Sequence, residues 1–250
     1  MEYSIVISAF NEADKITTSL TQALNFMRTF SSSFEIVVVD DGSIDKTADI
    51  VEEYAYSNLE IVLVRNQHMG KAGGLYTGVQ KARGDYIYLA DADFSAPINE
   101  LKKLSVWLID QNFDIVIASR EGIGAVRIGE PYYRHLVGRA FNWLVQLVAL
   151  PGIRDSQCGF KLFKAHVAKD LFSMLKVYGP NAEITQKPFF GALEVEVLFL
   201  ARKKGYSIKE VPVTWTFVKT MRLNFFQNSY KMARDVLKIR INDLKGVYRV

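Results

Sequence analysis

Cysteine is almost missing from this chain. A single residue, Cys158, stands among 250, which excludes an internal disulfide framework and any cysteine-rich zinc site and fits a reducing compartment. The opening residues Met1-Glu2-Tyr3-Ser4 bring neither the basic stretch nor the apolar core of a secretory signal and run straight into strand-like Ile5-Val6-Ile7, so the expected location is cytoplasmic. No internal repeat, low-complexity tract or Pro/Gly-rich linker interrupts the sequence. One large domain is therefore expected, with or without an appended piece, and a chain of this length can bury its core unaided. Two nucleotide signatures are absent as well. The glycine-rich stretch His68-Met69-Gly70-Lys71-Ala72-Gly73-Gly74 is not a Walker loop and misses the Gly-x-Gly-x-x-Gly spacing, which removes the main support for a kinase or a dehydrogenase.

What the chain does have is alternation. Short apolar runs at Ser4–Ala9, Glu35–Asp40, Glu60–Arg65, Tyr86–Ala90 and Asp114–Ala118 read as buried parallel strands. Periodic stretches at 12–30, 45–57, 71–83 and 97–111 have the length of crossover helices. Strand and helix in alternation predict an α/β fold, a mostly parallel sheet with helices on both faces. Ligands of such sheets bind beyond the carboxyl ends of the strands.

Polar groups gather where those ends should lie: Asn11-Glu12 after the first strand, Asp40-Asp41-Gly42-Ser43 after the second, Asp91-Ala92-Asp93 after the fourth. Asp41-Gly42-Ser43 also reads as simple turn and capping chemistry. Asp91 and Asp93 repel each other unless a cation or donors offset their charge, and hard oxygens of this kind suit Mg2+ or Mn2+, which complete their shell with substrate phosphates. The glycine-rich stretch opens a helix and carries Lys71, which can meet an anion. His68 beside it reads as a surface-loop histidine, and Cys158 as a small buried hydrophobe.

In order and spacing, Ala9-Phe10-Asn11-Glu12, Asp40-Asp41-Gly42-Ser43, Gly70-Lys71, Ala82-Arg83-Gly84-Asp85 and Asp91-Ala92-Asp93 resemble the family 2 glycosyltransferases of the GT-A fold. Ala9 departs from the proline common there. The resemblance implies that the nucleotide sugar is held by Ala9, Asn11, Glu12, Asp40, Asp41, Lys71 and Asp91, and that Asp91 and Asp93 serve the metal and the donor diphosphate. Further on, Ser119-Arg120, Arg127-Ile128-Gly129-Glu130-Pro131, Arg134, Gly138-Arg139 and Asp155-Ser156-Gln157-Cys158-Gly159-Phe160-Lys161-Leu162-Phe163 look like the polyprenyl-phosphate sugar transferases, the dolichyl-phosphate β-glucosyltransferase group above all. Glu194-Val195-Glu196 and Glu210-Val211-Pro212-Val213 continue the pattern. UDP-glucose is the donor, and a polyprenyl phosphate lipid the acceptor, that this likeness implies.

Arg120, Arg127, Arg134 and Arg139 offer more phosphate-pairing capacity than a metal-held donor requires, which suggests a second phosphate, that of the acceptor. Pairing with Glu121, Glu130 or Asp155 is the structural alternative. Asp155 and Arg120 join Asp91 and Asp93 as candidate catalytic residues, Asp155 as the base or acceptor-orienting carboxylate should one be needed. An acceptor phosphate is already ionised and requires none in principle.

As a helix, 135–150 would carry His135, Arg139, Asn142 and Gln146 on one stripe and apolar residues elsewhere. It is too short to span a bilayer and suits either an interfacial or a core helix. Residues 219–250 hold eight Lys/Arg against two Asp, interleaved with Phe225, Phe226, Tyr230 and Leu237. Such a segment suits an anionic surface, or is an ordinary solvated face; with a lipid acceptor implied, an anionic membrane is expected and nucleic acid is not. The expected organisation is a glycosyltransferase domain at 1–220, with a nucleotide-sugar half at 1–120 and an acceptor half at 121–220, followed by a basic amphipathic segment at 221–250. The function implied is metal-dependent inverting transfer of a hexose to a polyprenyl phosphate. The alternatives are a family 2 transferase with a soluble or glycan acceptor, and a non-catalytic nucleotide-sugar-binding protein at the membrane.

Overall fold

The computed structural model describes residues 1–179, 191–218 and 225–248, with residues 225–228 described by backbone alone. Lys219, Arg222 and Arg249 of the basic segment, and the side chains of Phe225 and Phe226, therefore lie outside the described residues. The first half alternates as its apolar runs demand: β1 (Tyr3–Ala9), α1 (Ala13–Phe30), β2 (Phe34–Asp40), α2 (Thr47–Ser57), β3 (Ile61–Arg65), α3 (Gly70–Lys81) and β4 (Tyr86–Asp91). The fourth helical stretch is not one regular helix but a 3-10 turn at Ile98–Glu100, α4 (Leu101–Ser105) and a π turn at Val106–Asp110. There follow β5 (Ile115–Ser119), β6 (Val126–Ile128), α5 (Tyr132–Val148), β7 (Lys161–Lys164), α6 (Ala165–Ser173), α7 (Leu193–Lys203), β8 (Ile208–Pro212), β9 (Thr214–Thr216) and α8 (Phe225–Leu244).

Seven strands form one sheet in the order β3-β2-β1-β4-β7-β5-β8, while β6 and β9 make a small parallel pair. Alternate side chains of β1 serve opposite cores. Val6 joins Val37, Val39 and Leu89 against α3 on one face; Ile5 and Ile7 join Ile36, Val38 and Tyr88 against α1 on the other. Burial on both faces is why these strands read as unbroken apolar runs. Helix α3 approaches closely enough that a Cβ on Gly78 would sit 2.3 Å from Val6 Cγ1, and one on Gly74 2.1 Å from Ser8 Oγ.

One strand departs from the parallel pattern. β7 runs antiparallel to both its neighbours, pairing Leu89 with Lys161 and Ile87 with Phe163 on one side, and Ile117 with Lys161 on the other. Its direction brings the loop that precedes it, Asp155–Phe160, to the rim where β4 ends. Sequence patterning missed β7 because it has only four residues and sits inside a polar motif.

The C-terminal helix belongs to the body of the protein. Val236 and Ile239 of α8 are fully buried in the same cluster as Leu198 and Leu200 of α7. Asp235 accepts a 2.6 Å hydrogen bond from Tyr178 Oη, and Tyr248 Oη donates to Glu196 at 2.7 Å. Helix α5 is apolar on two sides. Val145 is buried and Phe141 and Val148 pack on the core, whereas Tyr132, Leu136, Trp143 and Leu147 are exposed, Trp143 at 67% and Leu147 at 68%.

Candidate functional site

A cleft of about 760 Å³ opens over the carboxyl ends of β1 and β4. Its sheet-side wall carries Phe10, Glu12, Asp41, His68, Lys71, Asp91 and Asp93; the facing wall carries Arg120, Glu130, Arg134, Gly159, Glu194, Trp215 and Phe217.

At the end of β2 the chain turns through Gly42, whose φ of +75° suits glycine. Asp41 is buried there and binds the loop that starts α3: its Oδ1 accepts the Met69 N–H at 2.9 Å, and its Oδ2 lies 2.7 Å from His68 Nδ1. Burial raises the Asp41 carboxyl above its ordinary range, although these partners oppose it. The His68 ring stacks on Phe10 with centroids 4.0 Å apart. His68 is thus part of the cleft wall and not the surface-loop histidine its sequence context suggests, because two other loops fold over it.

Asn11 serves this corner from behind. Its Oδ1 accepts the N–H of Ile44 at 2.8 Å and its own N–H donates to Ser43 Oγ, so it ties the first loop to the second. Glu12 has its side chain on the cleft, while its carbonyl starts α1 by accepting from Lys15 and Ile16. Ala9 and Asp40 are buried at the strand ends beneath the cleft wall.

Asp91 and Asp93 both face the cleft but differ electrically. Lys71, delivered by the first turn of α3, places its Nζ 2.7 Å from Asp91 Oδ1 and 3.3 Å from Glu194 Oε1. Burial disfavours the Asp91 charge, yet the Lys71 ammonium outweighs it and holds the carboxyl below the usual carboxylate range. For Asp93, burial and then the charge on Asp91 push the carboxyl upward, against the Ser95 N–H that Oδ1 accepts at 3.0 Å. Among the described residues no three Asp, Glu, His or Cys side chains converge as a metal cage. Two carboxylates with phosphate and water completing the shell is the arrangement Mg2+ and Mn2+ commonly accept, so the donor set fits such an ion.

The facing wall is built on ion pairs. Arg120 grips Asp155 through a fork, Nε to Oδ2 at 2.8 Å and Nη2 to Oδ1 at 2.9 Å, and its N–H adds a third bond to the same carboxylate. Burial would raise the Asp155 carboxyl, but Arg120 outweighs it and holds the group well below the carboxylate range. A fully buried carboxylate so engaged lies behind the wall, not in the cleft, and is poorly suited to take a proton. Arg127 is also behind: its Nε supports the Arg120 carbonyl at 3.0 Å, and its Nη2 pairs with Glu121 at 2.7 Å, while Glu130 takes Nη1. Arg139 reaches Glu121 at 3.4 Å. Of the four arginines, Arg120 and Arg134 line the cleft, each over an aromatic ring, Trp215 at 5.3 Å and Phe217 at 4.6 Å. Nothing in the sequence marks these two aromatics, since the segment that carries them is brought to the site by long-range contacts: the β6–β9 pair, and the Trp215 Nε1–H and Thr216 N–H, which donate to Ser95 Oγ and to the Ser95 carbonyl.

Behind this wall, Lys161 is buried and donates to the Cys158 carbonyl. Cys158 itself is buried, and burial together with the nearby Asp155 charge pushes its thiol up to about 11.

The comparisons with known proteins agree with this geometry. Residues 4–172 match the model of the family described as Glycosyl transferase family 2. A dolichyl-phosphate beta-glucosyltransferase of Dictyostelium discoideum is 31% identical over 261 residues, covering 99% of this chain and 76% of the relative. The human protein of the same name is 31% identical over 265 residues, covering 100% and 78%. Among solved structures, the Pyrobaculum calidifontis mannosyltransferase in complex with GDP-Man and Mn2+ superposes with a TM-score of 0.61 at 19% identity, covering 95% of this chain and 64% of that one. With a GT-A sheet and the family model spanning most of its length, the chain belongs to glycosyltransferase family 2.

Proposed function

We propose that the protein moves glucose from UDP-glucose onto the phosphate of a polyprenyl or dolichyl phosphate, with inversion at the anomeric carbon, at a membrane surface. The observation that carries this reading is the two-sided cleft. Asp41, Asp91 and Asp93 stand on one wall, and Arg120 and Arg134 on the other, beside a helix whose outer face is apolar. The full-length similarity to dolichyl-phosphate beta-glucosyltransferases supports glucose and a lipid phosphate; UDP is the nucleotide that the motif resemblance implies.

In this reading Asp41 and Glu12 hold the nucleoside end, with Asn11 keeping their loops together, and Lys71 meets the diphosphate. Asp91 and Asp93 would hold a divalent ion, Mg2+ or Mn2+, which supplies positive charge against the departing diphosphate; the Mn2+ bound by the Pyrobaculum neighbour supports that choice of metal class. Arg120, fixed by Asp155, and Arg134 orient the acceptor phosphate for attack. Its oxygen is already ionised, so the protein need only align it, which agrees with Asp155 being occupied as an arginine clamp. Arg127 acts through the Arg120 carbonyl, and Arg139 through Glu121.

No helix among the described residues is long and apolar enough to cross a membrane. The apolar outer face of α5, and the exposed Tyr230, Leu237, Ile241 and Leu244 of α8 with Lys238 and Lys245 nearby, would instead lie on an anionic bilayer.

The test is a matrix of UDP-glucose and other nucleotide sugars against polyprenyl phosphate, the unphosphorylated polyprenol and soluble glycans, with and without chelator. Product from UDP-glucose and polyprenyl phosphate alone, lost in chelator, is expected. Equal turnover of a soluble glycan would replace the lipid acceptor, and full activity in chelator would remove the metal.

A further inference from the structure

Lys71 occupies an unusual place for a residue assigned to a phosphate. Its ammonium is already engaged, at 2.7 Å from Asp91 Oδ1 and 3.3 Å from Glu194 Oε1. All three side chains are largely screened from water, at 21%, 26% and 11% exposure, so these are not the weak contacts of an exposed pair. On the other side of the carboxylate, Gly159 presses in closely: a Cβ there would sit 2.2 Å from Asp91 Oδ2 and 2.6 Å from Oδ1. Asp91 is therefore held between a loop and an ammonium and has little room to turn away.

A divalent ion on Asp91 asks for the same lone pairs as Lys71 and is repelled by its charge. Asp93, two residues along, offers its carboxylate without an ammonium at salt-bridge distance among the described residues. We propose that Lys71 is a built-in counter-cation which occupies Asp91 until a nucleoside diphosphate arrives, so that metal and nucleotide load together and neither binds tightly alone. The inference rests on the reading of Asp91 and Asp93 as the metal pair. A lysine suits this role because its ammonium is a compact charge on a flexible four-carbon stem and can swing to a phosphate oxygen without losing charge compensation. As it leaves, Asp91 Oδ1 is opened to the metal. Linkage then requires reciprocity: the diphosphate strengthens metal binding by the same factor that the metal strengthens diphosphate binding.

The test follows the free Mn2+ signal by electron paramagnetic resonance, in titrations of wild type, Lys71→Met and the double variant Lys71→Met/Glu194→Gln, with and without UDP. Without UDP, both variants are expected to take up Mn2+ about tenfold more tightly than wild type, and the gain that UDP brings should shrink correspondingly. The double variant avoids stranding a buried carboxylate and keeps a released Glu194 from acting as a new ligand. Variants that bind Mn2+ no more tightly than wild type, while UDP still enhances binding in all three, would refute the counter-cation and leave the metal site standing. No uptake by any of the three, even with UDP, would remove the metal reading and the inference together.

Discussion

Asp91 and Asp93 are separated by one residue, and their surroundings shift their carboxyls in opposite directions. Asp91 is locked between Lys71 and Gly159, whereas Asp93 has Ser95 beside it, whose N–H donates to its Oδ1. Replacing Asp93 by alanine removes that hydrogen bond, which contributes about 1 kcal/mol, but no packed apolar group. Asp93→Ala is therefore expected to lower initial rates at least a hundredfold, about the loss for one transition-state charge partner, while its thermal melt moves by only a few degrees. A variant retaining wild-type rates would take Asp93 out of the mechanism. Cys158 gives a second expectation, in stability. Its thiol ionises near 11 in the fold against an ordinary 9.0, so the unfolded chain sheds this proton first. The stabilisation is complete below pH 9 and is lost as pH climbs from 9 to 11. Urea melts across that window should show Cys158→Ala losing less stability than wild type, by an amount on the order of 2 kcal/mol; parallel loss in both would refute the assignment. At this scale the carboxylates were legible in the sequence because like charges at a strand end need an explanation. His68, Trp215 and Phe217 were not, because each acquires its role from residues on other loops.

Helix α3 illustrates why elements in the first half could be read from sequence with an error of one or two residues. Its strands are apolar on both faces, and its glycines permit close docking, with no alternative packing that satisfies both. Gly78→Ala would push a methyl to 2.3 Å from Val6 Cγ1, so a loss of about 1–3 kcal/mol is expected from overpacking, against the slight gain alanine gives an open helix. Chemical denaturation decides between them, and a stabilised variant would mean that α3 is free to move off the sheet. The later elements were harder. β7 is fixed by register with β4 and β5 and not by its own pattern, and the regular helix expected at 97–111 breaks because its end is wound as a π turn. For α5, periodicity left core and interface equally open; Val145 is buried while Trp143 and Leu147 are exposed, so the helix packs on the core with one side and leaves apolar side chains uncovered on the other.

For the whole molecule, α5 and α8 pack against each other and each exposes large apolar side chains, with exposed Lys238 and Lys245 on or just after α8. Each basic residue near an anionic bilayer contributes about 1 kcal/mol and is screened by salt, whereas apolar burial is not. Flotation with anionic vesicles should therefore weaken only partly as salt rises, and Trp143→Asp/Leu147→Asp should release the protein even at low salt with its circular dichroism unchanged. Wild type that ignores such vesicles would overturn the membrane reading. The placement of β7 also bears on how the chain is made. Four of the seven sheet strands can assemble from the first ninety or so residues through local crossovers, but β4 and β5 cannot be joined until residues 161–164 slide between them. A nascent or truncated chain that stops just short of β7 holds Asp41, Asp91 and Asp93 but not Glu194, and leaves the β4 edge and both edges of β5 unpaired, a known route to aggregation. The last strand to enter the gap also carries the loop that closes on Asp91, so the chain cannot acquire its cleft before it has sealed its sheet.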